Sequence, residues 1–286
     1  MKNKLSVLAP INDSDSKVRC VVTNTLKSTV AATVLLVAIT MVVATSLQAQ
    51  TLSLVGNKVA TYIDEHDLPA RQMDVVAAAL GDKKAKITAT TQAWSGSGLR
   101  SGKFAGYIDH YSLNEPKDNY VYSLPYMQVD LHVVSRNRKA ESIIRLEQLY
   151  RERVGIENRF ANTDQLRDER DIRWARTPWF FDNIKQLAER RVDFLLVDKA
   201  MVDEINLLLE SVAQQPIYVS KVALMSVDVS LAIHRDYANA KDILASFDKG
   251  IAALKSSGEY AELLKQDLAR ESLLDVRVYN DMLQKW

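Results

Sequence analysis

The chain has 286 residues, 47% of them hydrophobic and 26% charged, with 9 Gly and 6 Pro. These values exclude a wholly disordered chain, a collagen-like fibre and a small disulfide scaffold. Lys and Arg number 37 against 36 Asp and Glu, a net of +1 that argues against a dedicated nucleic-acid binder.

The first element is apolar. Thr29 to Ala44 runs sixteen residues without a charge. That is short of the about 20 apolar residues a spanning helix needs and near the length of a secretory signal core. Lys2, Lys4, Lys17, Arg19 and Lys27 lie upstream, the positive side that stays in the cytoplasm. Leu47-Gln48-Ala49 offers a cleavage site, and Ala44-Thr45-Ser46 a second. Residues 1–49 are read as a cleaved signal peptide that sends the product to the periplasm; the alternative is an uncut membrane anchor. Cys20 precedes the apolar run, so it is not the lipid-bearing cysteine of a lipoprotein. Cleavage after Ala49 leaves 237 residues without cysteine, 32 of them basic and 34 acidic. Such a product is indifferent to an oxidising compartment and is long enough for two modest lobes.

Short apolar runs then alternate with longer helical patterns, with no repeat at a fixed period. Leu52 to Val55 predicts a strand. Met73, Val76, Ala77 and Leu80 share one face of a helix. Lys86 to Thr90 predicts another strand. Gly96-Ser97-Gly98 reads as a turn. Tyr126 to Val134 alternates apolar and polar and ends in a solvated turn from Ser135 to Lys139. Leu146 to Tyr150 is helical, and Arg153 to Ile156 is a short buried strand.

Pro178 suits the first turn of a helix running to about Arg190. Val192 to Val197 is a strand, Ala200 to Glu210 a helix, and Val229 to Ile233 a strand. Lys241 to Leu254 is amphipathic, with Ile243, Leu244, Phe247, Ile251 and Leu254 inward. Gly258 is a helix stop, and another helix starts near Tyr260. This alternation implies an α/β fold with βαβ units and mostly parallel sheets. Ligands of such sheets bind in a crevice at the carboxyl ends of strands.

Four segments, in order, resemble the periplasmic solute-binding proteins of amino-acid ABC transporters (family 3). Gly102-Lys103-Phe104-Ala105-Gly106 is similar to G-K-x-D-x, with Ala105 in place of Asp. Tyr122-Ser123-Leu124-Pro125-Tyr126 is similar to F-S-x-P-Y. Arg191-Val192-Asp193-Phe194 through Asp198 is similar to G-R-x-D-A-x-x-x-D. Phe247 to Tyr260 is similar to the last-helix signature F-N-x-A-L-x-x-L-x-x-x-G-x-Y. The resemblance covers nearly all of residues 50–270 and marks a divergent member. It implies a two-lobed type II fold with the ligand cleft between lobes joined by two crossover strands. Residues 50–128 and 229–286 would form the first lobe and 129–228 the second, with crossings near Val129 and Asp228. It further implies hinge closure on a small amino-acid-like ligand, an inner-membrane ABC permease or a sensor protein as partner, a monomer, and no cofactor.

Six residues are candidates for the ligand site. Asp198 follows an apolar strand and matches the acid that accepts an α-ammonium in the family; it also suits a helix N-cap. Lys117 falls where a gap-free count from Gly102 reaches the family's carboxylate-clamping Arg, while ten residues back from Tyr126 is Pro116. Either way no Arg is present, and Lys offers a point charge rather than a fork. Trp94 and Tyr62 match cleft aromatics that can stack on a ligand; core packing is the alternative for each. Arg159, after Gly155-Ile156-Glu157-Asn158, lies where the usual G-T-T loop is missing and could supply a compensating charge; a solvated loop Arg is the alternative. Asp109 is an extra acid near a strand end that would suit a cationic ligand.

Enzyme signatures are thin. His66, His110, His132 and His234 are far apart and show no metal-ligand spacing. G-x-S-x-G, P-loop and G-x-G-x-x-G motifs are absent, and the exported product has no thiol. A few family members are dehydratases, but the reading is a binding protein. The lost Arg, acid and loop motivate a second reading, a sensory or partner-binding member of the same fold.

Overall fold

A continuous apolar run forms a strand that is covered on both faces, whereas spaced apolar residues form a helix that is covered on one. Both patterns are present in the computed structural model, which describes residues 51–59, 62–64, 70–81, 85–161, 163, 166, 168–265 and 284–286. The predicted signal peptide and Cys20 lie outside the described residues. Thr51 to Trp286 form one compact unit.

Its strands are β1 (Leu52–Asn57), β2 (Ala85–Thr90), β3 (Gly106–Tyr111), β4 (Tyr120–Tyr122), β5 (Met127–Ser135), β6 (Arg153–Glu157), β7 (Arg173–Thr177), β8 (Phe194–Asp198), β9 (Tyr218–Val219) and β10 (Met225–His234). The helices are α1 (Arg71–Leu80), α2 (Gln92–Arg100), α3 (Asn158–Ala161), α4 (Phe180–Ala188), α5 (Lys199–Ser211), α6 (Ala240–Ser257) and α7 (Glu259–Leu264). Leu54, Val55, Leu195, Leu196 and Val197 are wholly buried, as central strands require.

The sheet runs β2-β1-β3-β10-β5-β8-β6-β7. β1 is parallel to β2 and β3, and β6 is parallel to β7 and β8. These are the βαβ halves that the alternating sequence predicts. β5 and β10 join them and are antiparallel to their neighbours. β5 first pairs with β10, Val129 opposite Val227 and Gln128 opposite Asp228, and then with β8 from Leu131 to Val134. β10 correspondingly turns from β5 to β3 and β4. The two halves of the molecule therefore share two long strands.

Several local expectations are corrected. Gly96-Ser97-Gly98 is no turn but the middle of α2. Its glycines and serines hide the apolar period, and Gly98 is needed for packing: a Cβ there would lie 2.4 Å from the Phe104 ring. Leu146–Leu149 is 3-10 rather than α-helix, and a second 3-10 turn, Arg138–Ser142, takes up part of the expected solvated turn. Pro178 stands before α4 rather than in its first turn, with Trp179 at the N-cap. α6 ends where expected, at Gly258 with φ 84°. His132 and His234 both lie in strands, β5 and β10.

Candidate ligand-binding cleft

The carboxyl ends of β1, β2 and β3 from one half and of β6 and β7 from the other converge on a cavity of about 410 Å³. Asn57, Asp109 and Tyr111 line it on the first side; Glu157, Arg159 and Trp179 line it on the second. Its volume lies within the range of small-molecule sites, about 300–1,000 Å³.

Asp109 and Tyr111 are two apart on β3, so they face the same side of the sheet. The strand end is fixed from below. The buried Tyr126 hydroxyl donates to the Ile108 carbonyl at 2.6 Å, and the Gln72 amide donates to both. Asp109 is 8% exposed. Its Oδ2 accepts from the backbone N–H of Asn57 at 3.0 Å and from Asn57 Nδ2 at 2.7 Å. Asn57 is itself oriented by the Ser95 hydroxyl of α2, 2.7 Å from Oδ1. Burial raises the pKa of Asp109, and the two Asn57 hydrogen bonds only partly offset it.

Arg159 is the second residue of α3, which starts directly after β6. Its Nε and Nη2 donate to the two carboxylate oxygens of Glu157 at 3.1 and 3.0 Å, and its Nη1 donates to the Tyr111 hydroxyl at 3.1 Å. The guanidinium stacks on Phe160, 4.3 Å from the ring centre. Burial lowers its pKa, but Glu157, Tyr111 and Asp198 more than offset this and the net direction is up. Arg159 is therefore a buried, paired cation and not a solvated loop residue.

Asp198 ends β8 and caps α5. Its Oδ1 accepts from the Ala200 N–H at 3.0 Å, and the residue is 3% exposed. Burial raises its pKa against the pull of Arg159 and Tyr62. Burial and then Asp198 push the Tyr62 phenol up in turn. Asp198 and Tyr62 are thus electrically joined to Arg159, yet neither lines the cavity. Arg71 of α1 pairs with Glu204 of α5 and lies over the Tyr62 ring, 5.5 Å from its centre. This ion pair bridges elements on opposite sides of the β5–β10 ladder.

Of the six sequence candidates, the structure brings Asp109 and Arg159 to the cavity wall and places Asp198 and Tyr62 next to Arg159. Trp94, on α2, is 71% exposed and outside the lining. Lys117 is exposed and also outside it, its backbone N–H bonded to the Tyr122 hydroxyl at 2.7 Å and its ammonium over the Tyr107 ring. Besides Tyr111, the wall carries a second aromatic, Trp179, 42% exposed. Sequence reasoning missed it, although an aromatic beside Pro178 at a helix start was a usable signal. Glu157 was also missed; its place is set by its pairing with Arg159 across the turn from β6 into α3.

No protein-family model matches the chain, and no curated protein matches it. Solved structures do. The GluR0 ligand-binding core, crystallised with L-glutamate, is 12% identical with a TM-score of 0.62, over 77% of this chain and 98% of that one. ArtJ from Geobacillus stearothermophilus, an arginine-, lysine-, histidine-binding protein, is 15% identical with a TM-score of 0.58, over 80% and 99%. A histidine kinase sensor domain with similarity to periplasmic binding proteins is 18% identical with a TM-score of 0.58, over 77% and 96%. The fold is that of the two-lobed, type II periplasmic binding proteins.

Proposed function

We propose that this chain is a divergent family 3 solute-binding protein, exported to the periplasm as a monomer behind a cleaved signal in residues 1–49. It captures a small polar, amino-acid-like solute between its lobes and presents it to an inner-membrane ABC permease. The lobes are residues 50–128 with 229–286, and residues 129–228. The single observation that carries this reading is the cavity itself. It lies where strand ends of the two halves meet, and charged side chains from both sides line it. Asp109 and Arg159 are its polar walls, with Asp198 and Tyr62 supporting Arg159. It is a binding protein and not an enzyme.

A second reading has one observation in its favour. The likeness extends to a sensor domain as evenly as to an amino acid ABC transporter substrate-binding protein. The captured solute would then be reported to a membrane sensor.

A thermal-shift screen with amino acids, amines and organic acids tests the shared premise. A ligand at about 100 times its Kd adds about 2.7 kcal/mol to stability and raises Tm by several degrees. No shift across the whole panel would remove solute capture from both readings.

A further inference from the structure

We propose that the cleft is built for an organic amine that carries no carboxylate, with Asp109 as counter-ion of its positive charge and Trp179 against its carbon skeleton. This rests on the reading of the cavity as a solute site and names the class of solute.

The argument begins with Arg159. A carboxylate-bearing ligand needs a cation with open donors. Glu157 takes the Nε–Nη2 edge of Arg159, the Tyr111 hydroxyl accepts from Nη1, and Met201 Sδ lies 3.6 Å from Nη2, so most of the five guanidinium donors are engaged. The remaining face stacks on Phe160. Lys58, the other cation on the wall, already has a partner. Lys117 is held outside the cavity by Tyr107 and Tyr122. An incoming carboxylate would find the first-turn N–H groups of α2 at Gln92 and Ala93, which no side chain caps. Those donors carry only the partial positive charge of a helix start, weaker than a free guanidinium, and they also serve a hydroxyl or carbonyl.

The acids present the opposite case. Glu157 pairs with the guanidinium, Asp198 feels it only through space, and Asp109 makes no ion pair among the described residues. Arg159 acts on it only through space. A carboxylate more than nine-tenths buried, on a cavity wall and without a cation, is costly unless the cation arrives with the ligand. Its surroundings suit that role: Asn57, held by Ser95, fixes Oδ2. Trp179 on the facing side offers an indole to a cation or to methylene groups. A zwitterionic amino acid would bring a second negative charge into a site already rich in them.

Matched pairs test this on the unaltered protein by calorimetry: agmatine against arginine, and cadaverine against lysine. Each pair differs by one carboxylate. The expected result is that a decarboxylated amine binds, and binds about tenfold or more tighter than its parent. Equal or tighter binding of the parent in each pair that binds overturns the inference. So does failure of both amines. A hit among neutral or acidic amino acids would then leave solute capture standing without it, and silence across that wider panel would remove both.

Asp109→Asn keeps the shape and the Asn57 contact. It should weaken the amine about tenfold or more with Tm unchanged or raised in its absence. Unchanged amine affinity overturns the assignment to Asp109.

Discussion

Arg159 turns one edge of its guanidinium to Glu157, Nε to Oε2 at 3.1 Å and Nη2 to Oε1 at 3.0 Å, although the two residues are only two apart in sequence. The strand β6 ends at Glu157 and α3 begins at Asn158, so the sharp change of direction folds the second side chain back on the first. Both are nearly buried, and a buried pair broken on one side leaves a charge without a contacting partner, here offset only through space by Asp109 and Asp198. Glu157→Gln is therefore expected to lose about 3 kcal/mol of stability, read from urea unfolding. It should also free Arg159 and bring measurable affinity for a small dicarboxylate by calorimetry. Stability unchanged to within 0.5 kcal/mol, about the scatter of an exposed substitution, would show that the pair carries no weight.

Asp198 has two roles to separate. As N-cap of α5 it accepts one backbone hydrogen bond, which Asn can also accept. Asp198→Ala should lose about 1 kcal/mol of stability, and Asp198→Asn should recover most of it. If Asp198 also receives a ligand ammonium, both variants bind more weakly. Affinity intact in Asp198→Asn, with stability intact, would assign the residue to capping alone.

The legible parts of the fold were those where one physical signal dominates. Apolar runs at β1 and β8 and the spaced face of α6 declared themselves because burial decides them. α2 did not, since its sequence Gln92-Ala93-Trp94-Ser95-Gly96-Ser97-Gly98 lacks an apolar stripe. It is helical because tertiary contacts at Ser95 and Gly98 demand close approach. β7 was unread because Arg173, Arg176 and Thr177 break any apolar run, and its place comes from pairing with β6. The site followed the same division. Asp109 and Arg159 were visible as charges near strand ends. Whether such a charge faces the cavity or another charge depends on neighbours far away in sequence. Lys117 shows the limit: its position counted from Gly102 is right for a clamp, but the Tyr107–Tyr122 cluster holds it elsewhere.

Trp179 and Trp94 offer a direct comparison. Trp179 lines the cavity, whereas Trp94 stands clear of it and is more exposed. Trp179→Ala is expected to weaken ligand binding roughly tenfold, the scale of one desolvated cation–π or stacking contact, with little change in Tm. Trp94→Ala should leave affinity alone. Fluorescence gives an independent reading: ligand should perturb the emission of the wild-type protein and of Trp94→Phe, but much less that of Trp179→Phe. A response that follows Trp94 instead would relocate the site toward α2.

Glu204 predicts a pH dependence with a definite sign. Burial pushes its pKa from the ordinary 4.5 to about 7, against the opposing pull of Arg71. The folded state thus holds a proton that the unfolded state has already released. Below about 4.5 both states are protonated and the contribution to stability is complete. As pH rises from there toward 7 the unfolded chain ionises first, and stability falls until Glu204 ionises in the folded state as well. Tm should therefore decline across this window beyond what other groups impose. Asp109 and Asp198, also raised by burial, act with the same sign. They remain in Glu204→Gln, so the difference between the two Tm profiles isolates Glu204. That difference should grow from pH 4.5 to 7 in favour of the variant and then level off. Parallel profiles would mean that Arg71, bridging from α1, holds Glu204 ionised through the whole window, and that the contact between the two sides of the ladder is a full ion pair at acid pH.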